Sequence, residues 1–252
     1  MSNNSFNYQD ATITRAIIKS NEGRIVDVSA CVECSYVESI YDDTITVNYT
    51  ISNSAGTIEG KTLLEGLPLV GTEDFELIIE DANKNKIEVN LNVNNVDIIE
   101  KDNQTEILSI SLVSEELIRN ESEESCVRIR HNGKISQSVN DILTQNLKTK
   151  KDLFIDETSN NFNFIGNKRK PLYMINWLSK KSIPKKDGKK GETAGYLFYE
   201  TSEGYHFKSI DSLFAQEHEK SFGFFGFAET PAGYDGNIVK FSPDNRFKMI
   251  SL

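Results

Sequence analysis

Along the first half of the chain, apolar and polar residues alternate with a period of two. The alternation runs through 11–20 (ATITRAIIKS), 24–30 (RIVDVSA) and 43–52 (DTITVNYTIS). It recurs in 74–82 (DFELIIEDA), 86–96 (KIEVNLNVNNV) and 105–114 (TEILSISLVS). Successive strand side chains point to opposite faces, so this pattern predicts strands with one buried face. Each run is rich in Ile, Val and Thr, which suit a pleated, half-buried surface. Turn chemistry separates the runs at Asn21-Glu22-Gly23, Ser54-Ala55-Gly56 and Asn83-Lys84-Asn85. Short strands in close succession predict a sandwich or barrel rather than strand–helix–strand units.

The period then changes. Ser114, followed by Glu115 and Glu116, predicts a helix start with acids in its first turn. Ser136 precedes a second helix, on which Val139, Ile142, Leu143 and Leu147 share a face. Between them, 126–134 reads as a strand ending in an Asn132-Gly133 turn. The stretch 145–161 is polar and reads as a join. Pro171 opens a helix with Leu172, Ile175 and Leu178 in one stripe, broadened by Tyr173, Met174 and Trp177, and Pro184 ends it. The runs 194–200 and 204–209 predict a hairpin with paired aromatic rings. A short helix over 210–218 and strands over 221–229 and 237–243 follow. The pattern divides the chain into a β domain over 1–113, a helical bridge over 114–160 and a mixed second domain over 161–252.

Charge sharpens that division. The 252 residues carry a net −10. Residues 1–146 hold 11 basic and 25 acidic residues, a net of −14, whereas 147–252 hold 17 and 13, a net of +4. Gripping nucleic acid as a main task needs surplus cation, which the whole chain lacks. No apolar run is long enough to span a membrane. The first residues, MSNNSFNYQDA, have neither the basic nor the apolar region of a secretory signal.

Candidate chemistry is sparse. Cys31 and Cys34 form a CVEC motif and Cys126 stands alone. His131, His206 and His218 lack ligand spacing around them, so ordinary reduced thiols are expected, with no metal and no cofactor. GKKGET (188–193) lacks the spacing of a phosphate loop. Glu200 and Glu203 flank a hairpin turn, where carboxylates are expected to be solvated rather than paired for hydrolysis. Cys126 and His131, five apart on one strand, face opposite ways. The pronounced charge feature is a lysine cluster: Lys180, Lys181, Lys185, Lys186, Lys189 and Lys190. It reads as a solvated loop, or as a contact for an acidic partner or passing DNA.

PLYMINWLSKKSIP (171–184) and GYLFYETSEGYHFKSIDSLF (195–214) resemble the central baseplate hub protein of contractile-tailed phages, of the T-even type and its marine relatives. ESIYDD (38–43), LLEGLPLVGTEDFELII (63–79), LVSEELIRN (112–120) and KISQSVNDIL (134–143) stand in that family's order. The resemblance marks Trp177, Tyr196, Phe198, Tyr199, Glu200, Tyr205, His206, Phe207 and Asp211 as structural motif residues. It implies a mainly β fold with some α, made of two tube-type β domains joined by a helical bridge. It further implies a non-enzymatic homotrimer, related to secretion-system spike proteins, that adapts a sixfold tail tube to a threefold spike. The implied partners are two further copies of the chain, the tail tube or its initiator, the central spike and the tape measure protein, with DNA passing unbound and no membrane. The implied location is the virion baseplate, after assembly in the host cytoplasm. Family members continue well beyond the strand at 237–243, so the second domain is expected to be partial. Two rivals remain: a tail-associated peptidoglycan hydrolase acting through Glu200 or Glu203, and a host-surface carbohydrate-binding module. Exposed rings at Tyr196, Tyr205 and Phe207 would favour the latter.

Overall fold

The protein is described by a computed structural model covering residues 11–54, 66–67, 69–81, 84–101, 105–186, 189–190, 195–217, 221–223, 233 and 236–237. It is mainly β with some α. The alternating runs form one antiparallel sheet of seven strands. These are β1 (Thr12–Lys19), β2 (Ile25–Asp27), β3 (Cys31–Val37), β4 (Thr46–Ser54), β5 (Asp74–Glu80), β6 (Lys86–Lys101) and β7 (Thr105–Val113). Their order across the sheet is β2-β1-β5-β6-β7-β4-β3. Period two puts Ala16 and Ile18, Phe75 and Leu77, Val89, Leu91 and Val93, Leu108, Ile110 and Leu112, and Val47, Tyr49 and Ile51 on one face. That face closes over a single core. Register shifts at Ile13/Arg15, Cys31/Glu33, Val93/Asn95 and Ile98/Glu100 insert extra residues, which bend and twist strands. The sheet accordingly curls into a half-barrel.

A second core draws on residues from Val127 to Phe207. It is built by α1 (Glu115–Glu121), β8 (Arg130–His131), α2 (Ile135–Asp141), β9 (Asp152–Ile155), β10 (Phe164–Ile165) and α3 (Pro171–Ser179), with the hairpin β13 (Tyr196–Thr201) and β14 (Gly204–Ser209). A short ribbon, β11 (Lys185–Lys186) and β12 (Lys189–Lys190), stands between α3 and the hairpin. Pro171 takes the first helical position of α3, where its missing N–H costs no hydrogen bond. Leu172, Met174, Ile175 and Leu178 face inward. The helix over 210–218 is shorter than expected, as α4 (Ile210–Phe214).

Several sequence expectations are corrected here. The stretch 145–161 contains β9, which pairs in parallel with β14 and packs Leu153 and Ile155 on the second core. Its polar neighbours concealed a strand of only four residues. Of 126–134 only Arg130 and His131 form a strand, paired with β10. The second helix begins one residue before Ser136, because Ser136 exchanges hydrogen bonds with Thr158 instead of capping. Gly204, at φ +144°, is required for β9 to approach β14: a Cβ there would lie 2.3 Å from the Asp152 carbonyl oxygen.

By internal contacts the chain divides into two compact units, Met1–Asp211 and Ser212–Leu252. The second contains a two-residue parallel pair, β15 (Phe222–Gly223) with β16 (Gly236–Asn237). Apart from Asn237, the strand expected over 237–243 lies outside the described residues, as does most of 221–229.

Candidate functional site

The aromatic hairpin is core. Tyr196 stacks on Phe207 with ring centroids 4.6 Å apart, and Phe198 on Tyr205 at 5.5 Å. His206 lies against both Phe154 and Tyr199. Tyr196, Tyr205 and Phe207 are at most 5% exposed, which removes the carbohydrate platform that exposed rings would have offered. Trp177 meets Phe162 and Phe164 edge-on. Asp211 is half-buried on α4.

Glu200 is not a solvated hairpin carboxylate. It points inward from β13 and is fully buried. Its Oε2 accepts hydrogen bonds from the Ile45 N–H at 2.9 Å and the Ser114 hydroxyl at 2.6 Å. Its Oε1 lies 2.5 Å from Lys151 Nζ. Ile45 leads into β4 and Ser114 follows β7, so one carboxylate gathers the ends of two strands of the large sheet. Ser114 occupies the N-cap position of α1 but makes no side-chain cap there. Its hydroxyl is committed to Glu200. Glu203, three residues on, is exposed, so the two carboxylates do not face a common substrate space.

Lys151 has a second carboxylate. Glu116, on α1, receives Lys151 Nζ at 2.8 Å and the Thr149 hydroxyl at 2.6 Å. Burial works to lower the Lys151 pKa, but Glu200 and Glu116 outweigh it and hold the ammonium charged. Burial works to raise the Glu116 pKa, and Lys151 with the Thr149 hydroxyl reverses that and holds it low. The Tyr205 phenol borders this cluster, and burial together with Glu200 and Glu116 raises its pKa well above the ordinary range. Lys151 Nζ stands 5.5 Å from the Tyr205 ring centroid.

Two further contacts extend the seam. Asn176 on α3 donates to both Asp43 oxygens at 2.7 Å, and the Ser202 N–H donates to Glu38 Oε1 at 2.6 Å. Burial raises the Asp43 pKa against the lowering effect of Asn176. A cavity of about 160 Å³ lies along the seam, lined by Ile45, residues 88–91, Lys151 and residues 200–202. Glu38, Asp43, Glu116 and Glu200 are each met by donors from the chain itself. The arrangement fixes the curled sheet to the second core.

The lysine cluster is spread over different environments. Lys180 is exposed, Lys181 lies 5.0 Å from the Trp177 ring centroid, and Lys185 pairs with Glu157 at 2.6 Å. Lys186, Lys189 and Lys190 belong to the β11–β12 ribbon, with side chains outside the described residues. GKKGET is described only at Lys189 and Lys190. Cys31, Cys34 and Cys126 are thiols. Among the described residues, no three His, Cys, Asp or Glu side chains gather as metal ligands, and no helix is long and apolar enough to cross a membrane.

No family model and no curated protein matches the sequence. Solved structures do. The chain is similar to the 43 kDa tail protein of prophage MuSo2 from Shewanella oneidensis, with a TM-score of 0.54 and 11% identity over 83% of this chain and 57% of that one. It is similar to a tail protein from Neisseria meningitidis MC58, with a TM-score of 0.51 and 10% identity over 86% of this chain and 56% of that one. A type VI secretion component of E. coli, described as structurally similar to the T4 tail proteins gp27 and gp5, aligns over 91% of this chain and 56% of its own, with a TM-score of 0.46 and 10% identity. The chain spans a little over half the length of these proteins, and it has the fold of phage tail proteins.

Proposed function

We propose that this chain is a non-enzymatic structural subunit of a phage tail, the central hub of a contractile baseplate. In this reading three copies form a ring that adapts the sixfold tail tube to a threefold spike. Residues 1–113 form the first tube-type domain, 114–160 the bridge and 161–252 a partial second domain. The tube or its initiator, the spike and the tape measure protein are the neighbours, and DNA passes through without specific binding. The excess acid of 1–146 suits a lumen that repels DNA.

The observation that carries the reading is the sheet in its tail-protein fold. Its outer strands β2 and β3 each pair on one side only among the described residues, with Ile25 and Val32 about two-thirds exposed. Such edges invite pairing with another chain. A hydrolase reading loses its support with Glu200 buried and saturated. Sedimentation velocity on the purified full chain at micromolar concentration tests the proposal, with imaging of the particles formed. A threefold ring, alone or on addition of a tail protein, is expected. A chain that stays monomeric and that no tail protein trimerises would overturn it.

A further inference from the structure

A groove of about 190 Å³ lies beside α3, lined by Ile165, residues 166–167, Arg169, Tyr173, Met174 and Trp177. Its walls mix apolar side chains with polar surface and are partly open to solvent: Ile165 and Tyr173 are each more than half exposed. One cation, Arg169, lines it, and two more neighbour its lining residues. Arg169 lies over the Tyr173 ring at 5.6 Å, and Lys181 over Trp177 at 5.0 Å. Arg130 stands directly across the β8–β10 pair from Ile165. None of these three cations forms an ion pair among the described residues. Two other cavities are lined by carboxylates, Asp74, Glu76 and Glu115 in one and Glu88 and Glu200 in the other, whereas none lines this groove.

The groove's backbone is held firmly. A Cβ at Gly166 would lie 2.3 Å from the Val127 carbonyl oxygen, so the β10 turn is pressed against the chain beneath it. Asn167 and Lys168 both take positive φ, 49° and 56°, directing the chain around to Arg169. A cleft that exposes Ile165 and Tyr173 beside unpaired cations suits an apolar anchor flanked by negative charge.

We propose that this groove docks an acidic segment of a partner protein, one that inserts an aromatic or aliphatic side chain between Ile165 and Tyr173 and sets its carboxylates against Arg169, Lys181 and Arg130. Single-stranded nucleic acid, which also stacks on exposed rings beside arginine, is the competing occupant. Two features favour the peptide. Ile165 and Met174 give the cleft aliphatic and thioether walls that a base does not need. Glu123 and Glu121, paired with Lys168 and Lys170 on either side of Arg169, add negative charge that a short acidic segment can avoid and a longer polyanion must cross. The inference does not depend on the hub assignment.

Trp177 is the chain's single tryptophan, and it lines the groove, so its fluorescence reads occupancy directly. The full chain is titrated with a short tryptophan-free peptide bearing one central phenylalanine flanked by aspartates. Parallel titrations use the peptide with alanine at the centre, the peptide with lysines in place of aspartates, and a short single-stranded DNA. Saturable binding of the acidic phenylalanine peptide is expected, weakened about tenfold by the central alanine, by Tyr173→Ala and by Arg169→Glu, and lost with the lysine peptide. Both substituted residues are exposed, and an unchanged circular dichroism spectrum confirms that each variant folds. Absence of saturable peptide binding, or equal binding to either variant, overturns the proposal. Tighter binding of the DNA, with the same dependence on Tyr173 and Arg169, overturns it in favour of nucleic acid.

Discussion

Replacing Lys151 with methionine leaves the carboxylates of Glu116 and Glu200 buried without their shared cation. The side chains of Glu116 and Glu200 are 3% and 0% exposed, so neither charge can be rehydrated without opening the seam. Removing one partner of a buried ion pair typically costs about 3–5 kcal/mol. Lys151 itself is 30% exposed, which places the expected loss near 3 kcal/mol. For a unit of this size each kcal/mol lowers Tm by about 2–4 °C, so a fall of about 6–12 °C is expected. Thermal unfolding measures the Tm and urea unfolding at neutral pH the free-energy loss, followed by Trp177 fluorescence for the second core and circular dichroism for the sheet. The triple variant Glu116→Gln, Lys151→Met, Glu200→Gln removes all three charges together, and most of the lost stability is expected to return. A loss under about 1 kcal/mol for Lys151→Met, the range of exposed ion pairs, would refute the assignment of a buried clamp. So would a triple variant no more stable than the single one.

Other outcomes follow from the same structure. Glu116 has its pKa held low, so its contribution to stability is fully present above the unfolded value of about 4.3 and is lost as pH falls through the folded value. The urea midpoint is therefore expected to drop between about pH 5 and pH 3, and to drop less in Glu116→Gln. Gly204→Ala is expected to cost more than about 2 kcal/mol in urea, since the new Cβ meets the Asp152 backbone at a φ that L residues rarely adopt. Val32→Lys, at an exposed position of edge strand β3, is expected to abolish ring formation in sedimentation while leaving the urea midpoint within about 0.5 kcal/mol of the parent. The Cys34 thiol, pushed up to about 11 by burial and then by Cys31, is expected to be alkylated slowly at neutral pH.

The large sheet was legible because its signal is local. A strand with one buried face records that burial at every second residue, and Leu108, Ile110 and Leu112 announce β7 without help from elsewhere. The order β2-β1-β5-β6-β7-β4-β3 was not legible, since any two alternating strands could pair as far as pattern goes. Short elements failed for a related reason. β9 has only four residues, and what makes it a strand is the parallel edge of β14 beside it. The seam was the least legible part. Glu200 looks like any hairpin-end carboxylate until Ile45, Ser114 and Lys151, which lie 155, 86 and 49 residues away in sequence, converge on it. Ser114 read as a helix cap on sound local grounds, and a more demanding partner took its hydroxyl. The aromatic hairpin was legible as a hairpin and as core, because rings at strand spacing stack across the pair.

The uneven charge of the chain acquires a narrower meaning from these contacts. A −14 segment beside a +4 segment suggests two bodies held together by opposite charge. The seam does not work that way. Its carboxylates, Glu38, Asp43, Glu116 and Glu200, are met by backbone N–H groups, hydroxyls and one amide, and Lys151 is its one cation among the contacts described. Buried hydrogen bonds of this kind are screened little by salt, so the seam should hold at ionic strengths that erase surface attraction. Of the remaining acid of 1–146, Glu121 and Glu123 pair with Lys170 and Lys168 at the surface, and Glu76, Glu80 and Glu115 pair within the segment. Much of it stands on exposed positions such as Glu22, Glu33 and Asp97, where its field is available to whatever passes or docks outside. That separation of tasks, charge sealed inward for rigidity and charge left outward as a field, suits the ring around DNA proposed above.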